Sequence, residues 1–183
     1  MAVKKKDIFP SEKKDRVFWS ILNEAIYLEI KGGHLKWTYA ELARRSGVSR
    51  SLIYYYFGKA KINLLKEACV LFGELMAGTN KEKMQYWKEG DYVQGIIEAK
   101  ALFEVCPSLI PFYYLNRDKQ NEIGELIRKY EKKGISKRKK FFPHLSDGEA
   151  RLLFALQFGI SSFPGVRSKD VELCDSFLSI PKK

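Results

Sequence analysis

Apolar residues recur along this chain at the three- and four-residue spacing of helix faces, and no run shows the alternation of a half-buried strand. From about residue 12 to 30, Val17, Ile21, Ala25 and Leu28, with Phe18 and Leu22, share one face of a helix. Ser11 is placed to cap that helix and Gly32-Gly33 to end it. Thr38 and Glu41 have the spacing of a capping box, which predicts a second helix with Ala40, Leu42 and Ala43 apolar and Arg44 and Arg45 in water. Gly47 stands where a helix end calls for positive φ, Val48 reads as a buried plug, and Ser49 as the N-cap of a third helix. In that third helix Ile53 and Phe57 point inward, which leaves Arg50, Ser51, Tyr54 and Tyr55 on the outer side. This is a helix-turn-helix pattern, with a second helix suited to a DNA major groove.

Downstream the pattern stays helical. Leu64, Leu65, Ala68, Leu71, Phe72, Leu75 and Met76 give a broad apolar face from about Lys61, broken at Gly78-Thr79-Asn80. Helices are predicted at about Lys81–Lys88, Tyr92–Val105, Ser108–Asn116 and Asn121–Lys140, with Pro107 at a junction. Ser146 and Glu149 form a second capping-box spacing ahead of Leu152, Leu153, Ala155, Leu156, Phe158, Gly159 and Ile160, and Pro164-Gly165 stops that helix. Ser168 is the expected cap of a last helix bearing Val171, Leu173, Cys174, Phe177 and Leu178. Both final helices are too apolar for a single buried face, and Ala155 and Gly159, four apart, allow another helix to approach closely. A helix buried inside a monomer has the same look. The expected fold is all-α, with a three-helix helix-turn-helix DNA-binding domain over 1–60 and a helical domain over 61–183.

The run AELARRSGVSRSLIYYYF, followed by a Lys-bearing segment, resembles the N-terminal domain of the tetracycline-repressor (TetR) family. Ala43, Gly47, Val48, Ser49, Ile53, Tyr54, Tyr56 and Phe57 fall on that family's pattern, over about two dozen residues. Leu52 departs from it, standing where the family often has Thr or another small polar residue. A second departure is Ala60, flanked by Lys59 and Lys61 where one Lys is usual, so either lysine is a candidate for the phosphate contact. The resemblance implies a dimer held by the last two helices of each subunit, for which Leu152, Ala155, Leu156, Gly159 and Phe177 are the candidates. It also raises the reading of a small-molecule cavity in the second domain.

The formal net charge is +11, and residues 1–66 hold 14 Lys/Arg against 6 Asp/Glu, so most of the excess sits with the helix-turn-helix. Clustered cations favour a polyanion, because neutralising phosphates releases counterions. Arg50 is the candidate base reader, since its fork matches guanine O6 and N7. Ser51 and Tyr55 are placed to face the groove with it, while Thr38, Ser49, Tyr54 and Lys61 are candidates for phosphates. Lys4, Lys5 and Lys6 read as a solubilising tail or as an arm on DNA backbone. The lysine-rich run from Lys132 to Lys140 reads as solvated charge complementing a helix C-terminus, with a second DNA contact or another anionic partner as the alternative.

No run approaches a membrane span and no secretory pattern opens the chain, so a cytoplasmic protein without membrane contact is expected. Cys69, Cys106 and Cys174 are odd in number and widely separated, reading as buried thiols rather than a disulfide framework, a zinc site or redox sensors. His34 reads as a solvated loop residue, and His144, Ser146 and Asp147 as cap and loop rather than a triad. No catalytic residue, metal or cofactor is implied. Aromatics crowd the second half, and Phe72, Met76, Trp87, Phe103, Phe112 and Tyr113 are either core or the lining of a cavity for an apolar or flat ligand. The expected function is a homodimeric transcriptional regulator of bacterial type, a repressor released from a palindromic double-stranded operator by a small-molecule effector. The alternatives are a ligand-independent DNA-binding scaffold of the same fold, and a helical enzyme whose charge is incidental.

Overall fold

The computed structural model describes residues 13–76, 81–89, 92–163 and 165–173. Every regular element among them is an α-helix, so the fold is all-α as the spacing predicts. The elements are α1 (Lys13–Gly32), α2 (Tyr39–Ser46), α3 (Arg50–Phe57), α4 (Lys61–Met76), α5 (Lys81–Lys88), α6 (Tyr92–Val105), α7 (Leu109–Asn116), α8 (Glu122–Phe141), α9 (Asp147–Ser162) and α10 (Ser168–Glu172). None of these helices is long and apolar enough to cross a membrane. Ser11, Lys4, Lys5, Lys6, Gly78, Thr79, Asn80, Pro164, Cys174, Phe177 and Leu178 lie outside the described residues.

The chain forms two compact units, Met1–Val70 with Phe103–Ile127, and Leu71–Leu102 with Arg128–Lys183. Packing thus adds α7 and part of α4 to the helix-turn-helix, where the sequence places a division at residue 60. The cause is a long-range contact: α7 packs on α1, and the Ser108 N–H donates to Asn23 Oδ1 at 3.2 Å. In this first unit the α1 stripe is closed, with Ile21, Leu22, Ala25 and Ile26 fully buried. Leu42, Ile53, Phe57, Leu64, Leu65, Leu109 and Phe112 are buried with them, each contributing roughly 1.5–3 kcal/mol by leaving water. Cys69 and Cys106 are buried, and burial pushes both thiols up to about 12, which keeps them protonated.

The second unit has a cluster of Trp87, Ile96, Phe142, Leu153 and Val171, and Phe72 meets Phe158 edge-on at 6.0 Å. Gly73 is required by contact, because the Tyr130 ring occupies the place of a Cβ. Arg138 corrects the reading of its run as solvated charge: it is completely buried. It lies on the inward face of α8 with Ile127, Glu131 and Gly134, at helical spacing. Its guanidinium donates to Gly134 O at 3.0 Å, to Met76 O at 3.2 Å and to Gln157 Oε1. The flat faces lie 5.0 Å from the Trp87 ring centroid and 4.9 Å from that of Phe154. One cation therefore satisfies the last carbonyl of α4 and joins α5, α8 and α9.

Two local expectations are refined. Ser146 accepts from the Glu149 N–H at 3.2 Å while Glu149 accepts from the Ser146 N–H at 2.7 Å, a complete capping box on α9. At α10 the cap position belongs to Arg167 rather than Ser168, because Asp170 reaches back to accept from the Arg167 N–H at 2.9 Å.

Gln157→Leu keeps the volume but removes one acceptor from a buried guanidinium. We expect a loss of about 1.5–3 kcal/mol, the range for a hydrogen bond to a charged group, read from urea unfolding midpoints.

Candidate nucleic-acid interface

The geometry of α2 and α3 follows from their ends. The Glu41 N–H donates to Thr38 Oγ1 at 3.1 Å, which fixes the first turn of α2. Gly47 closes it at φ +67°, and the Val48 N–H reaches Ala43 O at 3.2 Å. Val48 is buried, and Ser49 then caps α3, accepting from the Leu52 N–H at 3.4 Å. Three residues, Gly47 to Ser49, therefore join α2 to α3, and the plug at 48 holds the turn against the unit's interior.

On α3 the inward pair is Ile53 and Phe57, and Phe57 stacks on Phe18 of α1 at 5.1 Å. Arg50, Ser51, Leu52 and Tyr55 are exposed, Tyr55 at 81%. The Ser49 and Ser51 hydroxyls lie 3.1 Å apart. Tyr54 is half-buried, edge-on to Tyr39 at 4.8 Å, and the Tyr39 hydroxyl donates to Gly58 O at 3.4 Å. Burial and then the neighbouring Tyr54 raise the Tyr39 phenol, so it remains a donor. Of the seven candidate DNA residues, Thr38, Ser49, Arg50, Ser51 and Tyr55 are exposed, whereas Tyr54 and Lys61 are partly covered.

Lys61 is engaged inside its own unit. Its ammonium donates to Leu35 O at 2.8 Å and lies 5.2 Å from the Trp37 ring centroid. Lys59, exposed in the α3–α4 loop, holds no such contact among the described residues. The anchor beneath is Glu29, 4% exposed, a residue whose type alone suggests a solvated surface position. Its carboxylate meets His34 Nδ1 at 2.7 Å and accepts from the Leu35 N–H at 2.9 Å and from Trp37 Nε1 at 3.0 Å. His34 is an exposed loop residue, as its sequence position predicts, and also a partner of this carboxylate. The available signal was register: Glu29 follows Ala25 by four on the apolar stripe of α1. Arg45 is also more than a wet cation, pairing with Glu24 at 2.6 Å and lying 4.3 Å from the Tyr27 ring centroid.

The remaining candidates separate by unit. Phe72, Met76 and Trp87 are buried in the second unit, and Phe103, Phe112 and Tyr113 in the first. On α9, Ala150, Leu153, Phe154, Gln157, Phe158 and Ser161 turn inward. Leu152 and Leu156 are 70% and 40% exposed, with Ala155 and Gly159 exposed beside them. A Cβ added at Gly159 meets nothing within 4 Å. Ser146 is spent as the α9 cap, and Asp147 pairs with Lys139, which holds its carboxyl below the usual range.

No family model matches this chain, and no curated protein matches it. Among solved structures, that of a presumed transcriptional regulator from Streptomyces coelicolor A3(2) aligns with 90% of this chain and 99% of its own, at 16% identity and a TM-score of 0.49. That likeness is too distant to carry function.

The cap at Ser49 gives a direct test of how α3 is held. Ser49→Ala should cost about 0.5–2 kcal/mol and Ser49→Gly only a few tenths, compared by urea unfolding midpoints. Equal losses would mean that the Ser49 hydroxyl does not cap α3.

Proposed function

We propose that this protein is a sequence-specific, double-stranded-DNA-binding transcriptional regulator of the tetracycline-repressor type, acting as a homodimer. The observation that carries the reading is α3: inner face anchored by Ile53 and Phe57, outer face offering Arg50, Ser51 and Tyr55 to solvent. Arg50 reads base edges through its bidentate fork, and Ser51 and Tyr55 complete the groove surface. Thr38, Ser49 and Tyr54 position the backbone. For the lysine contact the reading favours Lys59, since Lys61 donates to Leu35 O.

Dimerisation uses the apolar outer face of α9, Leu152, Ala155, Leu156 and Gly159, with Phe177 as a further member outside the described residues. An exposed stripe of this kind favours a partner helix over water. Two copies set about 34–36 Å apart match successive major grooves on one face of a palindromic operator. The finer part of the proposal is repression relieved by an apolar or aromatic effector, for which Phe72, Met76 and Trp87 are the candidates in the second unit and Phe103, Phe112 and Tyr113 those in the first. The close burial of all six favours a second reading, a DNA-binding scaffold without an effector.

DNA selected from a random pool by the full-length protein supplies the cognate site. Arg50→Ala should lose roughly 1–3 kcal/mol on that site and flatten discrimination at one base pair. Lys59→Ala should weaken selected and random DNA alike, lowering the salt slope by about one, while Lys61→Ala should leave the slope unchanged. Failure of the selection to enrich any sequence would remove the reading. Gly159→Trp should yield monomers by sedimentation; a monomeric wild type at micromolar concentration would refute the dimer.

A further inference from the structure

The outward face of α8 carries a second concentration of positive charge, in the unit that does not hold the helix-turn-helix. Lys129, Lys132, Lys133 and Lys140 are exposed, and Lys137 is half-buried. Lys129, Lys133, Ser136 and Lys140 follow one ridge at four-, three- and four-residue steps, with Lys132 and Lys137 on its flanks. Ile127, Glu131, Gly134 and Arg138 occupy the opposite, buried face. Arg138 therefore belongs to the interior, and the cations of the ridge and its flanks are all lysines. Among the described residues no carboxylate pairs with Lys129, Lys132, Lys133 or Lys140.

The stripe opposes its own helix. Like charges at i,i+3 and i,i+4 repel by roughly 0.2–0.5 kcal/mol a pair, and Lys133 and Lys140 both act, after burial, to lower the Lys137 ammonium. Five ammonium groups over eleven helical steps span about 16 Å, with a mean gap of ~4.1 Å along the axis, the same order as the phosphate repeat. One strand of a DNA duplex carries a phosphate per ~3.4 Å of axis. The chemistry is that of point charges without a guanidinium fork, which neutralise phosphates and read no bases. A helix lying in a membrane surface sets apolar side chains beside its cations; Glu122 and Glu125 begin the ridge one to two turns earlier, and from Lys129 on its exposed positions offer only lysine and serine.

We propose that the lysine stripe of α8 is a second DNA-binding surface, which takes the phosphate backbone of duplex DNA irrespective of sequence. The surface stands on its own charge and geometry; the choice of DNA as its polyanion rests on the reading of α3. The test is a salt titration of the full-length protein with a random-sequence duplex, comparing wild type with K129Q/K133Q/K140Q and K129R/K133R/K140R. Each phosphate that is no longer neutralised lowers the slope of log K against log salt by about 0.9, so the glutamine variant should fall by close to three while the arginine variant keeps the wild-type slope. Gln and Arg are both good helix formers, so the helical circular-dichroism signal should be unchanged in both.

An unchanged slope in the glutamine variant, with discrimination between selected and random DNA intact, overturns the stripe and leaves α3 standing. A slope that falls in a protein discriminating no sequence upholds the stripe and removes the reading of α3. Vesicles containing phosphatidylserine serve as the competing polyanion. Lysine-dependent binding to them, with no lysine-dependent change on DNA, overturns the proposal in favour of a membrane surface.

Discussion

A carboxylate taken out of water has to be met by donors, and the loop between α1 and α2 is built to meet the one on Glu29. Leaving such a charge unpaired costs several kcal/mol, whereas full pairing makes the geometry of its partners obligatory. His34, the Leu35 N–H and Trp37 Nε1 all converge on Glu29, and Leu35 adopts positive φ at 55° within that loop. The Leu35 carbonyl then takes the Lys61 ammonium, so the start of α4 is tied to the same loop. Trp37 and Tyr39 continue the chain edge-on at 5.8 Å, and Tyr39 meets Tyr54 of α3. The orientation of the candidate recognition helix thus depends on a buried anion two helices earlier.

The second unit obeys the same constraint with the sign reversed. Arg138 spends its donors on the end carbonyl of α4, a carbonyl in its own helix and the amide of Gln157, while two rings cover its faces. Gln157 in turn donates to Gly95 O at 3.4 Å, and Ser161 one turn on donates to Ile96 O at 3.3 Å. The packing of α9 on α6 therefore has a polar seam, and that seam fixes which face of α9 is inside. With Gln157 and Ser161 committed inward, Leu152, Ala155, Leu156 and Gly159 are left outside. Placing those polar groups inward is what leaves an apolar stripe facing water.

Helix positions were legible because periodicity and caps agree at most of the described junctions, α10 with its cap at Arg167 being an exception. Thr38, Gly47, Ser49, Ser146 and the Gly32-Gly33 pair mark ends that the structure keeps within a residue or two. Buried and exposed faces of α1 and α3 were equally legible, since apolar spacing reports them directly; on α9 apolar residues lie on both faces, and the polar seam of Gln157 and Ser161 decides which is inside. The buried charges were not: Glu29 and Arg138 read as surface residues by type, and register on an apolar stripe marks Glu29 alone, since Arg138 shares its face with Glu131 and Gly134. The same limit concealed the role of Lys61, whose partner is the carbonyl of Leu35, a backbone atom that carries no sequence signature. Assignment of α7 to the first unit depends on a contact spanning 85 residues, beyond any local pattern.

Burial of the six candidate effector residues bears on what an effector must do. Separating rings such as Phe72 and Phe158 to admit a ligand opens a void, at about 24 cal/mol per Å³ of unfilled space. A pocket of ~300 Å³, small for a ligand site, corresponds to roughly 7 kcal/mol if left empty. That exceeds the ~1–3 kcal/mol by which one site usually couples to another. An opened but unfilled state is therefore negligible, and the ligand itself must occupy the space as it forms. Ligand entry and the change of shape would then be one event, and only compounds that fill the void closely could drive it. Regulation of this kind selects for fit before affinity, because loosely fitting molecules leave part of the void open and forgo that fraction of the roughly 7 kcal/mol.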